Sequence, residues 1–172
     1  MSETIRFLIC AVLIGAGATA FMDLFAAARE KLFGTASLNY ALVGRWLAYL
    51  PRGRFFHTPI TVSPAVQGEG LIGWTAHYAI GIAFAALLLA IYGLGWVRQP
   101  TIAPALMIGL GSVIAPFFLM QPGMGFGIAA SCTPNPPAAR LRSLTTHAVF
   151  GLGLYAGGWA TNLLAVTGFI AI

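Results

Sequence analysis

Three ionisable side chains and one amide interrupt otherwise apolar runs of this 172-residue sequence: Asp23, His77, Gln121 and His147. A carboxylate beside imidazoles can titrate near neutral pH, because an unperturbed histidine has a pKa of about 6.5. Two histidines and a carboxylate, here Asp23, His77 and His147, could also bind a divalent transition metal. Alternatively, the polar groups only hold helices together through hydrogen bonds. The sequence leaves these three interpretations open, and it contains no local motif for a metal or another cofactor.

The composition places these residues in a membrane. The chain is 59% hydrophobic and 8% charged, with a mean hydropathy of +0.86, whereas soluble domains carry about 25% charged residues. The net charge of +5 comes without a run of basic residues, so we expect no nucleic-acid partner. We predict an all-α, polytopic membrane protein whose partner is the lipid bilayer.

Four apolar runs are long enough to cross a bilayer, since a spanning helix needs about 20 residues. They cover approximately residues 5–28, 71–96, 102–121 and 144–170, within a single integral membrane domain, 1–172. Trp74 and Trp96 lie near the two ends of the second run, where we expect interfacial anchors. The prediction is therefore a four-transmembrane-helix bundle.

The connecting loops predict the orientation. Seven of the nine basic residues fall between the first and second runs or between the third and fourth, and the other two are Arg6 and Arg98. We predict that the protein lies in the inner (plasma) membrane. The positive-inside rule then places both long loops in the cytoplasm and both termini on the outer side. A secretory signal ending at Ala18–Ala20 is the alternative for the first run, but Arg29 and Lys31 follow it closely and oppose export.

This topology brings the polar residues to one membrane depth. Each of the four lies within roughly 0–10 Å of the cytoplasmic boundary at 1.5 Å per helical residue. In the first two helices the ionisable residue lies in a row of small residues, which suits close packing. We expect a cytoplasm-facing polar layer in which Asp23 and the two histidines point toward one another. Glu69 could pair with Arg45 or Arg54, or join the layer from its loop.

The first long loop contains a predicted amphipathic helix. Leu38, Leu42, Trp46 and Tyr49 recur at helical spacing after a possible N-cap at Ser37, and a proline ends the run. With Arg45, Arg52 and Arg54 nearby, this cytoplasmic helix could lie against anionic lipids of the inner leaflet. Alternatively, it packs across the end of the bundle. We expect His57, farther along the loop, to be a surface residue.

Several stretches resemble a known family, namely "GATAFMDLF", "GRW", "GEGLIGWTAHYAIGIAFAALLL", "APFFLMQPGMGFGIAAS" and "RLRSLTTHAVFGLGLY". They look like a bacterial four-helix inner-membrane family that is catalogued only as a domain of unknown function. The resemblance runs from about Gly15 to Tyr155. It implies the four-span topology and a bacterial source, and it supplies no catalytic residues.

Three functions fit these observations. The first is a small proton-linked transporter or permease in which Asp23 and the histidines titrate. The second is a non-enzymatic interaction or regulatory protein whose polar layer only holds the helices. The third is a metal-dependent membrane enzyme, although an enzyme is the less expected outcome. A bundle of this size would need a second copy to enclose a pathway, so a homodimer is a further hypothesis.

Overall fold

A computed structural model describes residues 1–35 and 37–169 of the chain. These residues form helices, turns and loops, with no β-strand among them. The α-helices in this part of the chain are α1 (Glu3–Phe33), α2 (Tyr40–Tyr49), α3 (Glu69–Tyr92), α4 (Gly95–Arg98), α5 (Ile102–Gly111), α6 (Gln121–Gly123) and α7 (Pro136–Val166). Short 3₁₀ turns occupy Leu50–Arg52, Ile60–Val62 and Ile128–Ala130, and a π-helical turn occupies Pro116–Met120.

Four segments are long and apolar enough to cross a membrane: Glu3–Phe33, Glu69–Tyr92, Ile102–Gly123 and Pro136–Val166. The predicted class, an all-helical protein with four membrane-spanning helices, is confirmed. The mean hydropathy of their most apolar windows ranges from 1.3 to 2.1, so each helix is apolar enough to lie in the hydrocarbon core of a bilayer.

The second span ends earlier than the apolar run suggests. Gly93 adopts a left-handed conformation with φ 75°, and its N–H donates to the carbonyl of Leu89, so α3 stops at Tyr92. Glycine takes this conformation without the steric penalty of a side chain. Trp96 then lies in the separate helix α4 and is only 5% exposed. The prediction that Trp96 is an interfacial anchor is therefore wrong.

The fourth span begins two turns before its apolar run. The Asn135 side chain accepts a hydrogen bond from the N–H of Ala138, and Pro136 opens the helix. A side-chain cap followed by proline is a favourable helix start, so α7 includes residues 138–143, among them Arg140, Arg142 and Ser143. It ends at Val166, and the predicted end at residue 170 lies outside the described residues.

The third span is interrupted. α5 stops at Gly111, a turn at residues 112–113 follows, and Pro116–Met120 then continues as a π-helical turn into α6. Proline has no N–H to donate and displaces the preceding turn, which favours such a break. Irregular backbone at membrane depth is tolerated where it is buried in protein or lines a cavity.

The described residues fold as two compact units. Unit 1 comprises the described residues of Met1–Thr35, Tyr78–Gly111 and Thr146–Ile172. Its core contains small and aliphatic side chains of α1, α3 and α7, together with Trp96 and Phe150. α1 and α3 approach so closely at Gly15 that a Cβ there would collide with the backbone of Ile82.

Unit 2 comprises the described residues of Ala36–His77 and Ser112–Thr145. Its α2 begins at an Asn39 cap rather than at Ser37, because the Asn39 side chain accepts from the N–H of Ala41. Trp46 and Tyr49 from α2 are buried with Ile60 and Met124. The apolar face of α2 is thus covered by protein, which favours the packing alternative for this helix over one lying on lipid.

Candidate functional site

Asp23 is held by a tyrosine in unit 1. It lies on α1, one turn after the fully buried Thr19, whose hydroxyl donates to the carbonyl of Gly15 at 2.8 Å. The Asp23 carboxylate accepts a hydrogen bond from the side chain of Tyr78 on α3. Asp23 and Tyr78 are both half-buried. A carboxylate in an apolar span therefore has a neutral hydrogen-bond partner, as polar groups inside a membrane protein require.

His147 contacts a different element of unit 1. Its ring donates a hydrogen bond to the backbone carbonyl of Gly109 on α5. At this point α5 and α7 pack backbone to backbone, with Gly109 facing Gly151. Asp23 and His147 thus have different hydrogen-bond partners, one on α3 and one on α5. The expectation that they point toward one another remains a prediction.

His77 belongs to an aromatic cluster in unit 2. Its ring stacks on Tyr40 with centroids 4.1 Å apart and planes inclined by 28°. Trp74 completes the cluster, 4.6 Å from Tyr40 and 5.8 Å from His77. His77 is half-buried and Trp74 is 47% exposed. The cluster therefore fixes the start of α2 against the first turns of α3.

Glu69 and Arg45 form a two-pronged ion pair in unit 2. Nε and Nη2 of Arg45 donate to the Glu69 carboxylate at 2.8 and 2.7 Å, and Nη1 donates to the carbonyl of Ser63 at 2.9 Å. Glu69 also accepts from the N–H of Val66. Hydrogen bonding to Glu69 raises the pKa of the Arg45 guanidinium above its usual range. Of the two partners expected for Glu69, the structure pairs it with Arg45.

Gln121 follows the π-helical turn of the third span in unit 2. Its backbone carbonyl accepts from the N–H of Phe126 at 2.8 Å, while its side-chain Oε1 is buried and has no hydrogen-bond partner among the described residues. A buried amide oxygen without a donor is costly. The Gln121 side chain is therefore an unsatisfied polar group within the third span.

His57 is buried, which the sequence analysis did not predict. The prediction that it lies on the surface is wrong, because its side chain is 4% exposed. Its Nδ1 lies 2.8 Å from the Ser63 hydroxyl, and its backbone N–H donates to Gly123 at 2.9 Å. Burial, followed by the nearby charge of Arg54, lowers the pKa of this histidine below its usual 6.5.

The remaining basic residues of the loop face solvent. Arg52 and Arg54 are exposed, and their guanidinium groups lie 5.4 and 4.9 Å from the centroid of the Tyr49 ring. Arg45 differs from both because it is committed to Glu69.

The described residues contain no group of three or more His, Cys, Asp or Glu side chains placed to hold a metal ion. The three candidate ligands contact other residues: Asp23 contacts Tyr78, His77 stacks on Tyr40 and His147 contacts Gly109.

Comparison with known proteins gives one family match. Residues 12–161 match the family described as "Protein of unknown function (DUF2938)". The comparisons found no match among curated proteins and none among solved structures.

Proposed function

We propose that this chain, which belongs to the DUF2938 family of proteins of unknown function, is a small proton-linked transporter or permease. Asp23 is the group that takes up and releases the proton. The chain is a multi-pass membrane protein by its four apolar helices, and ionisable residues within spans commonly lie on ion or proton pathways.

The observation that carries the proposal is the hydrogen bond between Asp23 and Tyr78. A carboxylate fixed only to an arginine would stay charged over the physiological pH range. A neutral tyrosine hydroxyl instead can donate to the carboxylate when it is charged and accept from it when it is protonated. Asp23 therefore has a partner in both protonation states, as a group that cycles between them requires.

The interruption of the third span supports the same proposal. Discontinuous helices form the substrate and ion sites of many transporters, and π-helical turns are frequent at functional sites. Here the π-helical turn Pro116–Met120 leads directly into Gln121, whose buried Oε1 has no donor among the described residues. In this proposal Gln121 contacts the cargo and Asp23 supplies the coupled proton.

The orientation belongs to the proposal as well. We place the protein in a bacterial inner membrane with both termini outside, because the long loops carry seven of the nine basic residues. Cys132 in the second long loop is exposed and Cys10 is buried. A membrane-impermeant thiol reagent should therefore label Cys132 in inverted vesicles and leave it unlabelled in sealed, right-side-out vesicles. Labelling in right-side-out vesicles would overturn the orientation.

Transport is tested with proteoliposomes that enclose a pH-sensitive dye. Proton movement is followed after a membrane potential is imposed, with and without a panel of small solutes outside. We expect protein-dependent proton movement that is lost in Asp23→Asn, which cannot titrate, and reduced in Tyr78→Phe, which lacks the hydroxyl.

Glu30→Gln is the matched control. It makes the same acid-to-amide change on the same helix, at an exposed position, and should leave proton movement unchanged. The proposal fails if no solute elicits protein-dependent proton movement, or if Asp23→Asn moves protons at the wild-type rate.

A second candidate is a non-enzymatic interaction protein whose polar groups only hold its helices. The engagement of Arg45 by Glu69 favours it, because both side chains are used to fix the first long loop. In this case Arg52 and Arg54 form a docking surface for anionic lipids of the inner leaflet. Asp23→Asn would then lower the thermal unfolding midpoint and leave the rate of proton movement into the proteoliposomes unchanged.

A further inference from the structure

The two basic residues that depart from the charge pattern of the loops lie together in unit 1. Arg6 is in the second turn of α1 and Arg98 is the last residue of α4. Both line one surface cavity of about 210 Å³, together with Glu3, Leu94 and Gly95. A cavity of this volume has room for several waters or for a small polar ligand.

The charges around this cavity are not satisfied by each other. Within the part of the chain that the structure describes, no ion pair is formed by Arg6, Arg98 or Glu3. The Arg6 Nε is buried and has no hydrogen-bond partner there. A buried guanidinium donor without an acceptor is unfavourable. Because the charge of Arg6 also has no anion opposite it among the described residues, the guanidinium group favours an oxyanion in the cavity.

The composition of the lining indicates the ligand. Two guanidinium groups match the oxygens of a phosphate, which arginine binds through several parallel donors. The Glu3 carboxylate would repel a ligand that is only negative, and it would attract an ammonium group. The set therefore complements a zwitterion in which a phosphate lies a short distance from an ammonium.

We propose that this cavity is a binding site for a phosphoethanolamine group, carried either by a membrane phospholipid or by a free small molecule. Arg6 and Arg98 bind the phosphate and Glu3 binds the ammonium. The site is independent of the proton chemistry proposed for Asp23, and its failure would leave that proposal unaffected.

The test uses the full-length protein purified in detergent. Its thermal unfolding midpoint is measured with added phosphatidylethanolamine, with phosphatidylglycerol and with soluble phosphoethanolamine. We expect phosphatidylethanolamine to raise the midpoint more than phosphatidylglycerol does. Arg6→Gln and Arg98→Gln should each remove at least half of that increase. Each increase is taken relative to the same variant without lipid, so a change in intrinsic stability does not obscure it.

Two further variants sharpen the result. Lys31→Gln removes a basic residue at the opposite end of α1 and should keep the full increase. Glu3→Gln should abolish the preference for phosphatidylethanolamine over phosphatidylglycerol, because it removes the partner of the ammonium. If soluble phosphoethanolamine gives the same increase, the ligand is a free molecule; if only the lipid does, it is a lipid headgroup. The proposal is overturned if no probe stabilises the wild type, or if the arginine variants respond as Lys31→Gln does.

Discussion

Replacement of Glu69 by glutamine should release the first long loop of unit 2. The carboxylate accepts three hydrogen bonds, from Nε and Nη2 of Arg45 and from the N–H of Val66. A glutamine offers one carbonyl oxygen and turns an NH₂ group toward a guanidinium that has only donors. At least one of the two bonds from Arg45 is therefore lost, and the positive charge of Arg45 loses its counter-charge.

The expected magnitude follows from the solvent access of the pair. A hydrogen bond to a charged group contributes about 1.5–3 kcal/mol, and breaking a fully buried ion pair costs about 3–5 kcal/mol. The Arg45 and Glu69 side chains are 13% and 15% exposed, so water can partly replace the lost partner. We therefore expect Glu69→Gln to lower the free energy of loop opening by about 2 kcal/mol, within the first range and below the second.

Hydrogen exchange at the loop amides measures this change directly. The N–H groups of His57 and Ile60 donate to Gly123 and Met124, so they exchange only when the loop opens. Because about 1.4 kcal/mol corresponds to a factor of ten, their protection should fall about 30-fold in Glu69→Gln. Glu30→Gln, the same change at an exposed position, should leave it unaltered.

A small effect at these two amides would refute the reasoning. If protection at His57 and Ile60 falls less than threefold while that of Val66 falls strongly, the ion pair fixes only its own turn. The double variant Arg45→Gln/Glu69→Gln adds an independent check. Its loss of protection should be smaller than the sum of the two single losses, because each single change leaves the other partner unsatisfied.

Two further predictions concern packing and pH. Gly15→Ala should destabilise unit 1 by about 1–3 kcal/mol through overpacking against the Ile82 backbone, whereas Gly17→Ala, whose Cβ would have no neighbour within 4 Å, should be neutral or stabilising; unfolding midpoints in detergent compare the two. Because the pKa of His57 is below 6.5 in the folded protein, folding favours the neutral ring; the stabilisation is complete above about pH 6.5 and is lost as the pH falls from there through the folded-state pKa. Protection of the Ile60 amide, corrected for intrinsic exchange, should therefore fall on acidification in the wild type and depend less on pH in His57→Gln.

The sequence predicted the four spans because lipid imposes a simple requirement, about 20 apolar residues in a row. It could not place the helix ends, which depend on single capping groups. Gly93 ends α3 before Trp96, and Asn135 starts α7 well before its apolar run. Both are short-range effects that a hydropathy window averages away.

The sequence predicted which polar residues belong to the candidate site better than it predicted their hydrogen-bond partners. The pair Arg45–Glu69 was one of two expected pairings, since few carboxylates are available in this chain. Tyr78 was not expected, because the row of small residues on α3 passes through His77 and suggested that His77 faces α1. Tyr78 lies one residue farther along, beside the row that packs against α1 at Gly81, and a pattern of small residues does not show which neighbouring side chain also reaches Asp23.

The close contact of α1 and α3 at Gly15 has a thermodynamic consequence. Between helices in a bilayer, lipid tails compete with the packing surface, so the contact removes little apolar area from water. The heat capacity change of separating the two helices should then be small, since that quantity reports newly hydrated apolar surface. The free energy of this contact should vary almost linearly with temperature, whereas the buried cluster around Trp46 and Ile60, if water surrounds it, should show the curved stability profile of a soluble domain and weaken on cooling as well as on heating.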